Sequence, residues 1–162
     1  MIFHLPPRNS LLKAAIVSIV CISFGSWIPR QLTVNPTSSL RQTLFVLNRH
    51  VSPESIVTGD IVRFPFNDAV TKGPVHLLKR VGCNQGQLLT VTDQKEYFCD
   101  GKWLGKAKDR SRLGSPIQNF KFNGLVPRGK FFALADHKDS YDSRYFGFVE
   151  LSHVVAKAYP IF

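Results

Sequence analysis

The chain divides into one long apolar run and a series of short ones. From Leu11 to Ile28 the sequence "LLKAAIVSIVCISFGSWI" carries a single charge, Lys13. As a helix rising about 1.5 Å per residue, this run is roughly 27 Å long, enough for a thin bilayer. Lys13 lies near its start, where its amine can snorkel to the headgroups. Arg8 and Lys13 favour a cytoplasmic N-terminus. The pattern therefore predicts a cytoplasmic tail and membrane anchor over residues 1–29 and an exported domain over residues 30–162. A cleavable secretory leader fits less well, because "SFGSW" is a poor small-x-small cleavage site.

Beyond Pro29 the apolar runs are short. "SIVTGDIVRFPF", "HLLKRVG", "LLTVT", "EYFCDGKWLG", "GKFFALAD" and "FGFVELSHVVAKAYPIF" follow one another, with Gly and Pro between them. Such spacing predicts strands joined by turns, and hence a mainly β domain. One segment has helical spacing instead. In "SLRQTLFVLNRH", Ser39 to His50, Leu40, Leu44 and Leu47 fall on one helical face. Lys102 to Phe120 is polar and basic, which predicts a surface loop or an extended hairpin.

Composition adds limits. The 162 residues make one domain with room for a core; 44% are hydrophobic and 20% charged. A net charge of +10 suits a nucleic acid or an anionic membrane surface. The basic residues are spread along the chain without a nucleic-acid-binding motif, so no nucleic-acid partner is expected and a solvated basic face beside a membrane fits better. Of three cysteines, Cys21 lies in the apolar run. Cys83 and Cys99 would lie in an oxidising compartment, where they are either a disulfide or two free thiols. A bridge there would contribute about 3 kcal/mol on the chain-entropy model. No His/Cys cluster suggests a metal, and no cofactor is expected.

Candidate chemistry starts at Thr37, Ser38 and Ser39 in "NPTSSLRQTLF". Three hydroxyls before a helical pattern can be an N-cap; a serine nucleophile there would need a base. His50, His76, His137 and His153 leave a triad open, although no Gly-x-Ser-x-Gly elbow is present. Lys79 in "HLLKRVG" is either an exposed lysine on an edge strand or a buried amine. Burial can lower a lysine pKa from about 10.4 by several units and make it a base.

The segment "ADHKDSYDSRYFG" resembles the last motif of type I signal peptidases, and more closely that of their conjugative-transfer TraF-type relatives, roughly G-[DH]-x-x-x-S-x-D-S-R-Y-F-G. Ser140, Asp142, Ser143, Arg144, Tyr145 and Gly147 match it. "NPTSSLRQTLF" is similar to the TraF-type nucleophile segment, N-x-T-x-S-x-P-x-G-L-Y, at Asn35, Thr37, Ser39 and Leu44. "TGDIVRF" resembles the strand that follows, and "LLKRVG" the general-base segment. There are departures: Leu40 stands where general signal peptidases have Met, Arg41 for Pro, Thr43 for Gly and Ala135 for Gly, and "GCNQGQ" replaces the usual "GLPGD". These fit a specialised relative better than a general leader peptidase.

The resemblance implies a signal-peptidase/LexA-like β-rich catalytic domain behind one N-terminal transmembrane helix. It implies Ser39 as nucleophile and Lys79 as base, with an oxyanion hole from the Ser39 amide and the Thr37 hydroxyl. Ser140 would orient the Lys79 amine, and Asp142 and Arg144 would pair to hold their loop. The implied partner is a membrane-presented precursor such as a prepilin, processed on the periplasmic side of a bacterial inner membrane by hydrolysis or by cyclisation. A general leader peptidase and a non-enzymatic part of a secretion or conjugation apparatus are the alternatives. A self-cleaving repressor-like domain shares the dyad, but Leu11 to Ile28 argues against it.

Overall fold

The computed structural model describes residues 8–35, 39–71, 73–111 and 114–161; in the first helix, the side chains of residues 8–11, 14, 20, 24 and 26–30 are outside the description. Helix α1 (Arg8–Gln31) runs directly into strand β1 (Leu32–Val34), two residues past the expected boundary at residue 29. Its Leu12, Ile16, Val17, Ile19 and Ile22 are exposed. At about 100° per residue these five cover more than half of the helix circumference. Among the described residues, no helix is long and apolar enough to cross a membrane. Leu11, Val20, Phe24, Trp27 and Ile28, all within the expected span, have side chains outside the described set.

Strands β2 (Leu44–Asn48), β3 (Ile61–Phe66), β4 (Val75–Asn84), β5 (Leu88–Val91), β6 (Glu96–Cys99), β7 (Lys102–Lys106), β8 (Gly124–Leu125) and β9 (Lys130–Leu134) come next. A one-turn helix α2 (Ser143–Phe146), β10 (Val149–Glu150) and β11 (Ala156–Pro160) complete the chain. They form a seven-stranded sheet in the order β1-β2-β11-β3-β4-β9-β10 and a four-stranded sheet in the order β7-β6-β5-β8. Every pairing is antiparallel.

The helix expected over Ser39–His50 is not formed; its second half is β2. Phe45 and Leu47 are buried while Val46 is exposed, an alternation of period two. Pairing with β1 on one side and β11 on the other satisfies the β2 backbone through partners remote in sequence. The helical spacing of Leu40, Leu44 and Leu47 is coincidental, because Leu40 precedes the strand and buries independently in the same apolar cluster as Phe45 and Leu47. The basic stretch from Lys102 opens as β7, closed onto β6 by Asp100 and Gly101, both at positive φ (47° and 78°) as a type I′ turn requires.

The large sheet buries both faces. Val62, Phe64, Val81, Phe131 and Ala133 build the core on one face. The opposite face is shared. Phe45, Leu47, Ile61, Ala156 and Ala158 cover one part of it. Cys83, Phe132 and Leu134 pack beneath the smaller sheet with Leu89, Tyr97 and Cys99. A bulge in β4 decides which of its residues meets which face. Val81 pairs with Ala133 but Cys83 pairs with Phe132, so Gly82 is an extra residue and Cys83 turns to the face opposite Val81. A Cβ on Gly82 would collide with the Leu134 side chain. Cys83 then reaches Cys99 on β6, and a disulfide joins the two sheets.

Candidate active site

Lys79 lies on β4, paired with β3 and one residue before the pairing with β9 begins at Arg80. It is 4% exposed. Its cross-strand partner is Val62, and alternation places it on the face of Leu77 and Val81. Desolvation in this apolar setting pushes the amine below its ordinary pKa. The charge of Asp142 works against that shift and the guanidinium of Arg144 adds to it. Among the described residues, no carboxylate forms an ion pair with Lys79. Burial without a carboxylate partner thus favours the neutral amine over the ammonium.

Ser39 lies in the turn before β2, 8% exposed. Its carbonyl accepts the amides of Asp136 (2.7 Å) and His137 (3.2 Å), from the loop after β9. Buried Asn35 donates its side-chain amide to Ser39 Oγ at 3.4 Å, and its own N–H donates to the Thr43 carbonyl at 2.7 Å. Ser39 and Lys79, 40 positions apart in sequence, line one cleft of about 1150 Å³ with Asn35, His137, Ser140 and Tyr141. Thr37 lies outside the described residues.

The segment after Ser140 holds its shape by buried charge. Asp142, fully buried, caps α2 by accepting the Arg144 amide at 3.1 Å. It accepts Arg144 Nε at 2.8 Å and Nη2 at 2.7 Å, a bidentate pair, and the Ala135 amide at 3.0 Å. Arg144 Nη1 also donates to the Lys106 carbonyl at 3.0 Å, tying this segment to β7. Beside it, the Ser143 hydroxyl accepts the Ala133 amide at 2.8 Å. Neither charge of the Asp142–Arg144 pair lines the cleft.

Asp136 has a part that the sequence reading did not assign. Its carboxylate accepts the Arg41 amide at 3.1 Å and Arg80 Nε at 3.3 Å, while its own amide donates to Ser39. One residue thus joins the turn of Ser39 to the strand of Lys79. Its signal was present: it is the acidic position of the "GDN"-type pattern, retained here as "ADH". Asn35 likewise matched the family pattern without a role. Of the histidines, His76 and His137 line the cleft, and His137 Nδ1 accepts the Asp139 amide at 3.1 Å. Among the described residues, no group of three or more His, Cys, Asp or Glu could hold a metal ion.

The family model described as signal peptidase, peptidase S26, matches residues 8–162. A curated relative from Synechocystis, a probable signal peptidase I-2, is 27% identical over 172 aligned positions, spanning 97% of this chain and 75% of its own length. A signal peptidase I of Enterococcus faecalis with a crystal structure is 24% identical; the match covers 64% of this chain and 96% of that one, with a TM-score of 0.43.

Proposed function

Because this chain belongs to the signal peptidase family, the peptidases S26, whose members are serine-type peptidases that process signal peptides, we propose that Ser39 and Lys79 form its catalytic dyad. The observation that carries this reading is the burial of Lys79 in a cleft it shares with Ser39. The neutral amine takes the proton from Ser39 Oγ as the oxygen attacks the scissile carbonyl carbon. The C–N bond then breaks, the departing amine takes a proton from Lys79, and an acyl-enzyme remains. Lys79 next removes a proton from water as the water oxygen attacks the ester carbon; the ester C–O bond breaks and Ser39 Oγ takes that proton back from Lys79. The Ser39 amide and the Thr37 hydroxyl stabilise the oxyanion; one such donor is worth about 3 kcal/mol. Ser140, on the same cleft, orients the amine.

The anchor reading rests on the Leu11–Ile28 run and on the exposed apolar side chains of α1. It places the catalytic domain at the periplasmic surface of an inner membrane, where a precursor is presented. The substrate reading is finer still. The "NPTSSLRQTLF" and "SYDSRYFG" segments favour a pilin precursor of a conjugation system, with a general exported precursor as the alternative. Water and a substrate amine compete for the same acyl-enzyme, so both hydrolysis and cyclisation are open to it.

Co-expression with candidate precursors tests the reading. Ser39→Ala and Lys79→Ala should each lower processing by at least about 10²-fold, while both variants keep the wild-type fold. A Lys79→Ala enzyme with near-normal activity would reject the dyad and return attention to His137. The mass of the product separates the outcomes: a cyclised product is lighter by one water than a hydrolysed one.

A further inference from the structure

A second groove, of about 600 Å³, lies outside the cleft of the dyad and is lined by both sheets. One wall is the turn before β2, with Arg41 and Gln42. The other is the smaller sheet, with Lys102, Trp103 and Leu104 on β7. Arg80, which strand alternation turns to the face opposite Lys79, also lines it, as does Asp136. The walls are tied together: the Thr58 hydroxyl, from the turn before β3, donates to the Gln87 side-chain carbonyl, from the turn before β5. Gln87 Nε2 in turn donates to Asp100 Oδ2 at 2.9 Å, and the Leu88 amide to Asp100 Oδ1 at 2.8 Å.

Both carboxylates of the groove are engaged, Asp136 by Arg80 and Asp100 by Gln87 and the Leu88 amide. Two cations are left over, one on each wall. Arg41 and Lys102 are exposed, and among the described residues neither forms an ion pair. Beside Lys102, Trp103 is 58% exposed, a large apolar surface of the kind that anchors interfaces. Uncompensated positive charge on both walls and an indole between them suit an extended acidic chain, whose carboxylates reach the cations while its stems lie on the ring. A bilayer surface is flat and would not enter a groove. Arg41 stands two positions after Ser39, and Asp136 bonds to both residues, so a chain held here lies close to the nucleophile.

We propose that this groove is an exosite that binds an acidic stretch of the precursor polypeptide outside the catalytic cleft, with Arg41 and Lys102 reading its charge and Trp103 giving the apolar contact. The identity of the occupant as a precursor rests on the peptidase reading above; the preference for an acidic chain rests on the groove alone.

The first arm of the test titrates the full-length Trp27→Phe protein, in which Trp103 is the sole tryptophan, with a synthetic Glu-Gly repeat peptide and its Lys-Gly counterpart. The Glu peptide should change Trp103 emission saturably, and the Lys peptide should not. Arg41→Glu/Lys102→Glu should weaken the Glu peptide about fivefold or more, the scale of an exposed ion pair. Raised salt should weaken it too. Single Arg41→Ala and Lys102→Ala changes should act in the same direction, by less. The second arm uses precursors that share one cleavage sequence but carry a Glu-rich, Ser-rich or Lys-rich stretch. The kcat/KM for the Glu-rich precursor relative to the Lys-rich one should fall about fivefold or more in the double variant, with the Ser-rich precursor cleaved as by wild type. Emission that ignores the Glu peptide, or a ratio that the double variant leaves unchanged, would overturn the proposal. Emission that answers to phosphatidylglycerol vesicles and not to the Glu peptide would overturn it in favour of a lipid headgroup. A wild-type enzyme that leaves every precursor intact would instead sink the peptidase reading, with the Trp103 titration still deciding whether the groove takes an acidic chain.

Discussion

Charging Lys79 means placing an ammonium beside Val62, Leu77 and Val81 with little water to solvate it. The cost falls on the protonated form, so the folded protein binds that proton less tightly than the unfolded chain does. Two outcomes follow. The acid limb of the kcat/KM profile should fall well below the ordinary lysine pKa of about 10.4. Stability should also depend on pH with a definite sign. Between the lowered folded pKa and about 10.4 the unfolded state binds more protons, so Lys79 makes stability rise with pH. Below the folded pKa its penalty is fully present; above the unfolded pKa it is gone. Denaturant midpoints of Lys79→Met against wild type should show the variant gaining most at low pH, with the gap closing as pH approaches 10.4. A gap independent of pH would mean that burial does not depress this pKa. Asp142 is the opposite case, a buried charge already satisfied by Arg144 and two amides. Asp142→Ala leaves Arg144 buried without its carboxylate and should cost about 3–5 kcal/mol by chemical denaturation.

At the scale of elements, the link between the sheets is a covalent one of modest span. The Cys83–Cys99 bridge closes a loop of separation 16, and the Cys83→Ala/Cys99→Ala variant should lose about 3 kcal/mol of stability, read from denaturant midpoints. The strands themselves were legible in the sequence. Short apolar runs between Gly and Pro gave β3, β4, β5, β6 and β9, because a short apolar run bounded by turn residues marks a strand even where both of its faces are buried. The sheet order left none, since β2 lies beside β11, and β2 was misread because its backbone partners are far away in the chain. The site divides in the same way. Ser39, Lys79 and Ser140 stood out because their motifs are contiguous strings. Asp136 did not, because its contacts span 56 to 95 positions.

At the scale of the whole molecule, a charge of +10 and an apolar helix are two different ways to meet a membrane. Adsorption by charge is screened by salt, whereas insertion is not. The full-length protein should remain with membranes through both a high-salt and an alkaline carbonate wash; release by salt alone would reject the anchor reading. The bulge at Gly82 has a consequence on this scale as well. Strand alternation is a clock with two states, and β4 resets it once, between the lysine of the cleft and the cysteine of the bridge. Upstream of the reset, side chains keep time with the core behind Lys79; downstream, they keep time with the smaller sheet. Removing Gly82 leaves Val81 and Cys83 as ordinary neighbours still on opposite faces, so the deletion should preserve the bridge and leave one titratable thiol, Cys21. Three thiols would show that the extra residue itself is needed to hold both halves of the strand in step.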